Sequence, residues 1–236
     1  MAIIERQAKA PPAGKISFEE FLDWADEDTW AEWVKGEAIM VSPASDRHQD
    51  LTGFLAAIVR LFVEARDLGV IRSAPFAMHL PDTPSVREPD LIFISREHTD
   101  RIRENFLEGP ADVVIEVTSP STIRIDRGEK FIEYESVAVL EYWLIDPARR
   151  VAEFYRLGPD SRYHPTLPDA EGIYHSHAIP GFWLRVDWLW QQPLPQAELV
   201  ALEIGGSTHA RALLQTLRRV LGPEELRRLL DEIGRT

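Results

Sequence analysis

The fold of this chain is decided by two apolar stretches, REPDLIFI at residues 87–94 and DVVIEV at residues 112–117. Each contains a run of Val, Ile, Leu or Phe, which is typical of a strand buried on both faces of a sheet. Each also carries an acid, Asp90 in the first and Glu116 in the second. A buried carboxylate is costly unless it is paired, hydrogen-bonded or bound to a metal. Two such acids on neighbouring strands therefore predict a site for a divalent cation.

The segments around these stretches predict an α/β or α+β fold. A hairpin that turns at Lys35-Gly36 precedes a long amphipathic helix capped by Asp46, and a second helix is predicted over residues 126–137. Further strand-like segments lie at residues 70–80, 142–146, 151–157, 173–179 and 183–188. The order strand, helix, strand around residues 126–137 indicates a crossover within a mixed sheet.

Length and composition predict one large domain with a small appendage. The chain has 236 residues, of which 44% are hydrophobic, enough for one sizeable core. We expect a flexible lead over residues 1–16, a domain over residues 17–190 and a C-terminal helical appendage over residues 191–236. The appendage is predicted to contain a helical hairpin, with helices at residues 210–221 and 223–233.

Composition also limits the class of protein. The chain has no cysteine, which excludes disulfides, thiolate zinc sites and a cysteine nucleophile and fits a reducing compartment. The N-terminus is charged where a signal peptide would be apolar, and no apolar window is long enough to cross a bilayer. We therefore expect a soluble cytoplasmic protein with no membrane partner. A formal net charge of -13 argues against binding of nucleic acid over a wide surface, but it does not exclude a local basic cleft.

The residues that follow the second stretch add a candidate catalytic lysine, Lys130, and two candidate accessory residues, Asp126 and Tyr134. Asp126, Lys130 and Tyr134 are spaced four residues apart, so a helix places them on one face that can point back at the two acids. This pattern fits metal-assisted hydrolysis of a phosphodiester. The metal Mg²⁺ would be bound by Asp90, Glu116 and the Val117 carbonyl. Lys130 would orient the attacking water or stabilise the charge that develops on the phosphate.

The ordered set of motifs resembles the Uma-type restriction endonuclease family of the PD-(D/E)XK nuclease superfamily. The motifs that carry the resemblance are Pro89-Asp90, EVTSPST at residues 116–122, Asp126, Lys130, Tyr134, EYWLIDP at residues 141–147 and, upstream, Gly36-Glu37, Ser42-Pro43 and His48-Gln49. The resemblance covers about residues 17–188. It implies a restriction-endonuclease-like core, a mixed central sheet flanked by helices, with a nuclease site that uses Mg²⁺, for which Mn²⁺ can substitute.

One position departs from the superfamily pattern. Thr118 stands two residues after Glu116, where the superfamily motif has lysine, and the resemblance implies that Lys130 on the following helix replaces it. The resemblance also makes Glu37 a candidate additional metal ligand. His48 is a candidate contact to a phosphate or to metal-bound water, with an ordinary helix-surface histidine as the alternative.

These observations predict a metal-dependent endonuclease that hydrolyses DNA phosphodiester bonds. Two cuts on antiparallel strands suit two-fold symmetry, so we expect a homodimer. The alternative is a catalytically inactive module that binds DNA or another partner, in which Glu116 and Lys130 form only a structural ion pair. A third hypothesis, a phosphoesterase for a small substrate, requires a closed pocket.

Overall fold

The computed structural model describes residues 10–25, 29, 31–40 and 44–233. Its centre is a six-stranded mixed sheet, in which the apolar stretch at residues 112–117 forms an inner strand, completely buried along its length. The strands, in chain order, are β3 (Gly69–Ser73), β6 (Leu91–Ser95), β8 (Val113–Val117), β9 (Glu141–Asp146), β10 (Val151–Leu157) and β11 (Tyr163–Pro165). They lie in the order β11-β10-β9-β8-β6-β3, and only β8 and β9 are parallel.

Helix α2 (Asp46–Ala65) covers one face of this sheet. Its buried residues recur at three- and four-residue intervals, and they pack on the odd-numbered residues of β8. They are Leu51, Phe54, Leu55, Ile58, Val59, Phe62 and Val63. The predicted cap at Asp46 is wrong by one residue: the Ser45 hydroxyl accepts from the backbone N–H of His48, and Asp46 begins the helix.

The opposite face is covered by the crossover between β8 and β9. This crossover contains α3 (Ile123–Ile125), a π-helical turn (Asp126–Lys130) and α4 (Phe131–Ser136), which run on as one helical segment. Tyr134 is completely buried on this face, against Val114, Tyr142 and Leu144 of the sheet. π-turns occur often at functional sites, and this one carries two of the predicted site residues.

A second, five-stranded sheet lies beside the first. Its strands are β1 (Ala31–Val34), β2 (Glu37–Met40), β4 (Ala77–Leu80), β5 (Ser85–Arg87) and β7 (Phe106–Glu108). The order is β2-β1-β5-β4-β7, and helix α1 (Phe18–Trp24) packs on it through Phe21. The predicted turn at Lys35-Gly36 is confirmed, and both residues have positive φ. Ser42 and Pro43 lie outside the described residues.

The single strand predicted over residues 70–80 is wrong. The chain turns at residues 74–76, so β3 joins the six-stranded sheet and β4 joins the five-stranded one. The short strands β5 and β7 were not predicted, because three residues are too few for a periodic pattern. The predicted strand at residues 173–179 is shorter, as β12 (Ile173–His175), and pairs with β13 (Trp183–Arg185).

The C-terminal part contains α5 (Ala197–Leu221), whose backbone is non-helical at Gly206, and α6 (Pro223–Ile233), so the predicted helix at residues 210–221 lies in the part of α5 that follows Gly206. The first turns of α5 pack on α2 through Val200 and Ile204, which belong to the main core. The division of the chain into a lead, a domain and an appendage stays a prediction, and residues 1–9 of the lead lie outside the described part. Among the described helices, none combines the length and apolar character that crossing a bilayer requires.

The predicted fold class is confirmed. The described chain is a mixed α/β structure, with a central sheet flanked by helices on both faces and two helices at the C-terminal end.

Candidate active site

The two acids of the opening stretches meet where the two sheets join. Asp90 lies between β5 and β6, where the chain passes from the smaller sheet into the larger one. In the antiparallel register, Leu91 is opposite Ile115, which puts Asp90 opposite Glu116. The backbone N–H of Asp90 donates to Glu116 Oε2 over 3.4 Å. The strand register therefore brings together two residues that are far apart in sequence.

The Asp90 carboxylate is held on the side of the site that solvent reaches. Its Oδ2 accepts from the Val117 N–H over 2.7 Å and lies 3.1 Å from His48 Nε2. The hydrogen bond with Asp90 is the largest influence on the pKa of His48 and raises it; burial acts in the opposite direction, and the Val117 carbonyl adds to the rise. The side chains of His48 and Asp90 are 13% and 18% exposed.

The Glu116 carboxylate lies on the face of the larger sheet that the crossover covers, the face opposite α2. Alternation along β8 puts Glu116 on the same face as Val114, beneath the helical segment. Lys130 Nζ donates to Glu116 Oε1 over 2.9 Å, and the Tyr134 hydroxyl donates to the same oxygen over 3.3 Å. The four-residue spacing of Lys130 and Tyr134 aims both side chains at one carboxylate.

Lys130 also contacts a buried acid that the sequence argument missed. Its Nζ lies 3.0 Å from Glu32 Oε1 and 3.7 Å from Asp126 Oδ1. Glu32 comes from β1 of the smaller sheet and stands between Ala31 and Trp33. This is an acid inside an apolar strand, the same signal that singled out Glu116. The same pattern of an acid between apolar residues therefore marks Glu32 in the hairpin.

An arginine of the first stretch holds Glu32 in place. Arg87 Nη1 donates to Glu32 Oε2 over 3.0 Å, and Arg87 Nε donates to Glu133 Oε2 over 2.6 Å. Glu133 also accepts from the Ser85 hydroxyl. The backbone N–H of Glu88 donates to Glu32 Oε1 over 3.3 Å. Charges thus alternate from Glu116 through Lys130, Glu32 and Arg87 to Glu133.

Burial sets the protonation of this cluster. It raises the pKa of Glu116 to about 8; Lys130 opposes the rise, and the charges of Asp126 and Asp90 add to it. Burial likewise raises the pKa of Glu88 to about 8, with repulsion from Glu32 adding to the effect. Burial acts to lower the pKa of Lys130, but attraction by Glu116, Glu32 and Asp126 outweighs it and keeps that pKa well above its usual value.

The cluster contains more acidic than basic side chains. Within the described part of the chain, five acids pair with Lys130 or Arg87, namely Glu32, Glu116, Asp126, Glu129 and Glu133, and Asp90 and Glu88 lie beside them. Asp126 Oδ1 is buried and makes no hydrogen bond. Excess negative charge and oxygen donors are what a hard divalent cation requires.

The residues fit a magnesium ion that keeps part of its water shell. The described residues contain no group of three or more His, Cys, Asp or Glu side chains arranged to hold a metal. Mg²⁺ is, however, usually held by one or two carboxylates and completes its shell with water and substrate oxygens. Asp90 and Glu116 are two such carboxylates and lie next to each other, since the Asp90 N–H donates to Glu116 and the Asp90 carboxylate accepts from the Val117 N–H.

The structure brings most of the predicted site residues together. Contacts around Asp90 and Glu116 include His48, Val117, Asp126, Lys130 and Tyr134. Glu37 is exposed and pairs with Val34 at the turn end of the hairpin, so it lies outside this cluster. The Thr118 hydroxyl, at the position of the superfamily lysine, is buried without a hydrogen-bond partner.

Comparison with known proteins agrees with this architecture. A family model named Uma2 and described as "Putative restriction endonuclease" matches residues 18–187. Among solved structures, the chain is similar to a crystal structure described as that of "a putative nuclease belonging to DUF820" from Anabaena variabilis ATCC 29413. The TM-score is 0.63 at 16% sequence identity, and the match covers 74% of this chain and 97% of the other. At this identity the likeness shows the fold alone.

Two proteins of Synechocystis sp. are also similar in sequence. The uncharacterized protein sll1609 is 27% identical over 130 residues, which cover 54% of this chain and 73% of that protein. The uncharacterized protein slr1290 is 27% identical over 135 residues, which cover 57% of this chain and 70% of that protein.

Proposed function

The chain belongs to the Uma2 family, and from this membership and the geometry of the carboxylate cluster we propose that it is a metal-dependent endonuclease that hydrolyses DNA phosphodiester bonds. The observation that carries the proposal is the position of Lys130 Nζ, 2.9 Å from Glu116 Oε1, with the backbone N–H of Asp90 on the other oxygen of Glu116. Two neighbouring acids with a lysine beside one of them are the groups that phosphodiester hydrolysis with a metal requires.

Asp90, Glu116 and the Val117 carbonyl are the residues that would hold Mg²⁺, or Mn²⁺ in its place. When bound, the ion supplies a Lewis acid for the phosphate and lowers the pKa of a bound water. The carboxylates are held before any ion arrives: Asp90 accepts from the Val117 N–H, and Glu116 accepts from Tyr134. Such support keeps ligand oxygens in place and tunes their affinity for a cation.

Lys130 supplies positive charge next to the reacting phosphate. Its ammonium is buried, with a side chain 9% exposed, so little water screens its field. A fixed ammonium at this point stabilises the negative charge that develops on the phosphate oxygens or orients the attacking water. Its pKa is held well above the usual value, chiefly by Glu116 and Glu32 against the effect of burial, so Lys130 stays protonated and is not a general base at neutral pH.

DNA would reach the site from the side of Asp90 and His48, because Glu116 and Lys130 are more deeply buried. The net charge of -13 disfavours binding of DNA over a wide surface, so contacts with phosphates would be confined to the region around Asp90 and His48. We also propose that the protein acts as a homodimer, since two-fold symmetry matches two antiparallel strands.

The test is cleavage of supercoiled plasmid DNA by purified protein in Mg²⁺ or Mn²⁺. Wild-type protein should nick the plasmid, EDTA should stop the reaction, and Asp90→Asn and Glu116→Gln should abolish it. Lys130→Met should slow it by about 10²–10³-fold, the usual effect of removing one charge-stabilising group. Glu97→Gln, which changes an exposed acid of the 3₁₀ helix Arg96–Arg101, is the control. Equal nicking by all variants would mean that the activity comes from a contaminant or from another site.

One observation favours a second candidate, an inactive module that kept the fold. Lys130 Nζ lies 2.9 Å from Glu116 Oε1, and a buried ion pair of this kind can serve structure alone. Calorimetric titration of the purified protein with Mn²⁺ separates the candidates. A structural pair predicts no saturable heat that Asp90→Asn removes, whereas the nuclease proposal predicts one.

A further inference from the structure

The Lys130 ammonium lies between two carboxylates that come from different sheets. Glu116 belongs to β8 of the larger sheet and Glu32 to β1 of the smaller one, and their Oε1 atoms lie 2.9 and 3.0 Å from Nζ. Both distances are those of charge-assisted hydrogen bonds. Glu116 and Glu32 are therefore the two nearest partners of the ammonium, at almost equal distances, and Asp126 is the third at 3.7 Å.

Glu32 is fixed more firmly than a simple counter-ion requires. Arg87 Nη1 binds its Oε2 over 3.0 Å, and the Glu88 N–H and Lys130 Nζ both donate to its Oε1. Arg87 is itself bound by Glu133 over 2.6 Å. Both oxygens of Glu32 are thus occupied by donors, and this carboxylate is poorly suited to bind a metal directly.

A cation at Glu116 competes with Lys130 for the same carboxylate. If Glu116 were the only partner, cation binding would leave a buried ammonium uncompensated, which is strongly unfavourable. Glu32 removes this penalty, because the ammonium keeps a charged partner 3.0 Å away without moving far. The arrangement allows Lys130 to remain beside the reacting phosphate while Glu116 turns to the cation.

We propose that Glu32 is a positioning residue that holds Lys130 when a divalent cation occupies Glu116, and that it thereby favours cation binding without being a ligand. This role rests on the proposed function, since it requires a cation at Asp90 and Glu116. It gives Arg87 a part as well: by binding both Glu32 and Glu133, the guanidinium fixes Glu32 at the correct distance from Lys130.

The test measures Mn²⁺ binding to the full chain by electron paramagnetic resonance, without DNA and without an activity readout. Glu32→Gln should weaken binding about tenfold, within the coupling range of residues in contact. Glu37→Gln removes the same charge from an exposed position of the same hairpin and should change binding less than about twofold. Lys130→Met should bind Mn²⁺ more tightly than wild type, because it removes the competing ammonium.

The double variant decides whether Glu32 acts through Lys130. In the Lys130→Met background, Glu32→Gln should change Mn²⁺ affinity by less than about twofold. An equal loss in both backgrounds would identify Glu32 as a ligand or a general source of negative field and overturn the proposal. So would unchanged binding by Glu32→Gln, or an equal loss in Glu37→Gln.

Two further measurements keep the outcome interpretable. Circular dichroism verifies that each variant folds; if Glu32→Gln does not fold, Glu32→Asp replaces it and should weaken binding by a smaller factor, since the charge stays but lies farther from Nζ. A wild-type protein that binds no Mn²⁺ would contradict the proposed function itself. Wild-type binding equal to that of a folded Glu32 variant would contradict only the positioning role.

Discussion

Replacing Lys130 by Met removes the cation that three buried carboxylates share, and its cost can be worked out from the site. The ammonium lies 2.9 Å from Glu116, 3.0 Å from Glu32 and 3.7 Å from Asp126. Removing one partner of a buried ion pair costs about 3–5 kcal/mol, because the remaining charge has no compensation. For a chain of this size, 1 kcal/mol lowers the melting temperature by about 2–4 °C, so the expected loss is about 6–20 °C.

The assay is urea and thermal denaturation followed by circular dichroism at pH 8 in EDTA. The matched control is Lys35→Met, which removes an exposed lysine and should change the free energy of unfolding by less than about 0.5 kcal/mol. The double variant Lys130→Met with Glu116→Gln should recover part of the loss, since it also removes one of the uncompensated acids.

The deficit of Lys130→Met should also shrink in acid. Burial raises the pKa of Glu116 to about 8, and loss of Lys130 raises it further, so this carboxyl is neutral at pH 5 and needs no cation. A deficit at pH 8 no larger than that of Lys35→Met would refute the argument that Lys130 is a buried, shared counter-ion. So would a deficit that grows as the pH falls.

Three further predictions concern pH, the ring beside Asp90 and the core. The folded-state pKa values of Glu116 and Glu88 are both raised from 4.5 to about 8. Their contribution to stability is therefore present below pH 4.5 and is lost as the pH rises through 8. Urea denaturation in EDTA should show this decrease in the free energy of unfolding, and Glu116→Gln should make the decrease smaller. His48→Asn should weaken Mn²⁺ binding by about 10–100-fold in calorimetry, as expected for loss of a group that orients a ligand, and unchanged affinity would make His48 an ordinary surface residue. Glu141→Ala removes a buried carboxylate that accepts five hydrogen bonds and should destabilise the fold by at least about 3 kcal/mol while leaving Mn²⁺ affinity of the folded protein unchanged.

Local pattern was sufficient where turns bound a strand-like segment. The strand at Val151–Leu157 coincides with the predicted range, and the hairpin turn at Lys35-Gly36 is where it was expected. The spacing of Lys130 and Tyr134 likewise predicted that both lie on one helix face, because helical geometry depends only on neighbours along the chain; that both contact Glu116 is seen only in the structure.

Pattern failed where the outcome depends on which sheet a strand joins. Residues 70–80 read as one strand, yet the turn at residues 74–76 sends β3 and β4 into different sheets. The periodicity of a segment does not show which sheet it joins, since β3 and β4 are each compatible with either sheet and the strand they pair with determines the outcome. The three-residue strands β5 and β7 are stabilised by their neighbours for the same reason.

The amino-acid sequence alone determined that Glu116 lies in a buried strand and needs a partner, since a carboxylate among Val and Ile cannot remain uncompensated, whereas Asp90 lies just before β6 and is partly exposed. Only the tertiary structure decided which groups compensate them. In the structure, Glu32 of the smaller sheet pairs with Lys130, and Arg87 of the same sheet pairs with Glu32. Glu37 is exposed to solvent, although Glu32 and Glu37 belong to one hairpin. Contacts between distant segments depend on how two sheets pack together, and that packing is a property of the whole chain.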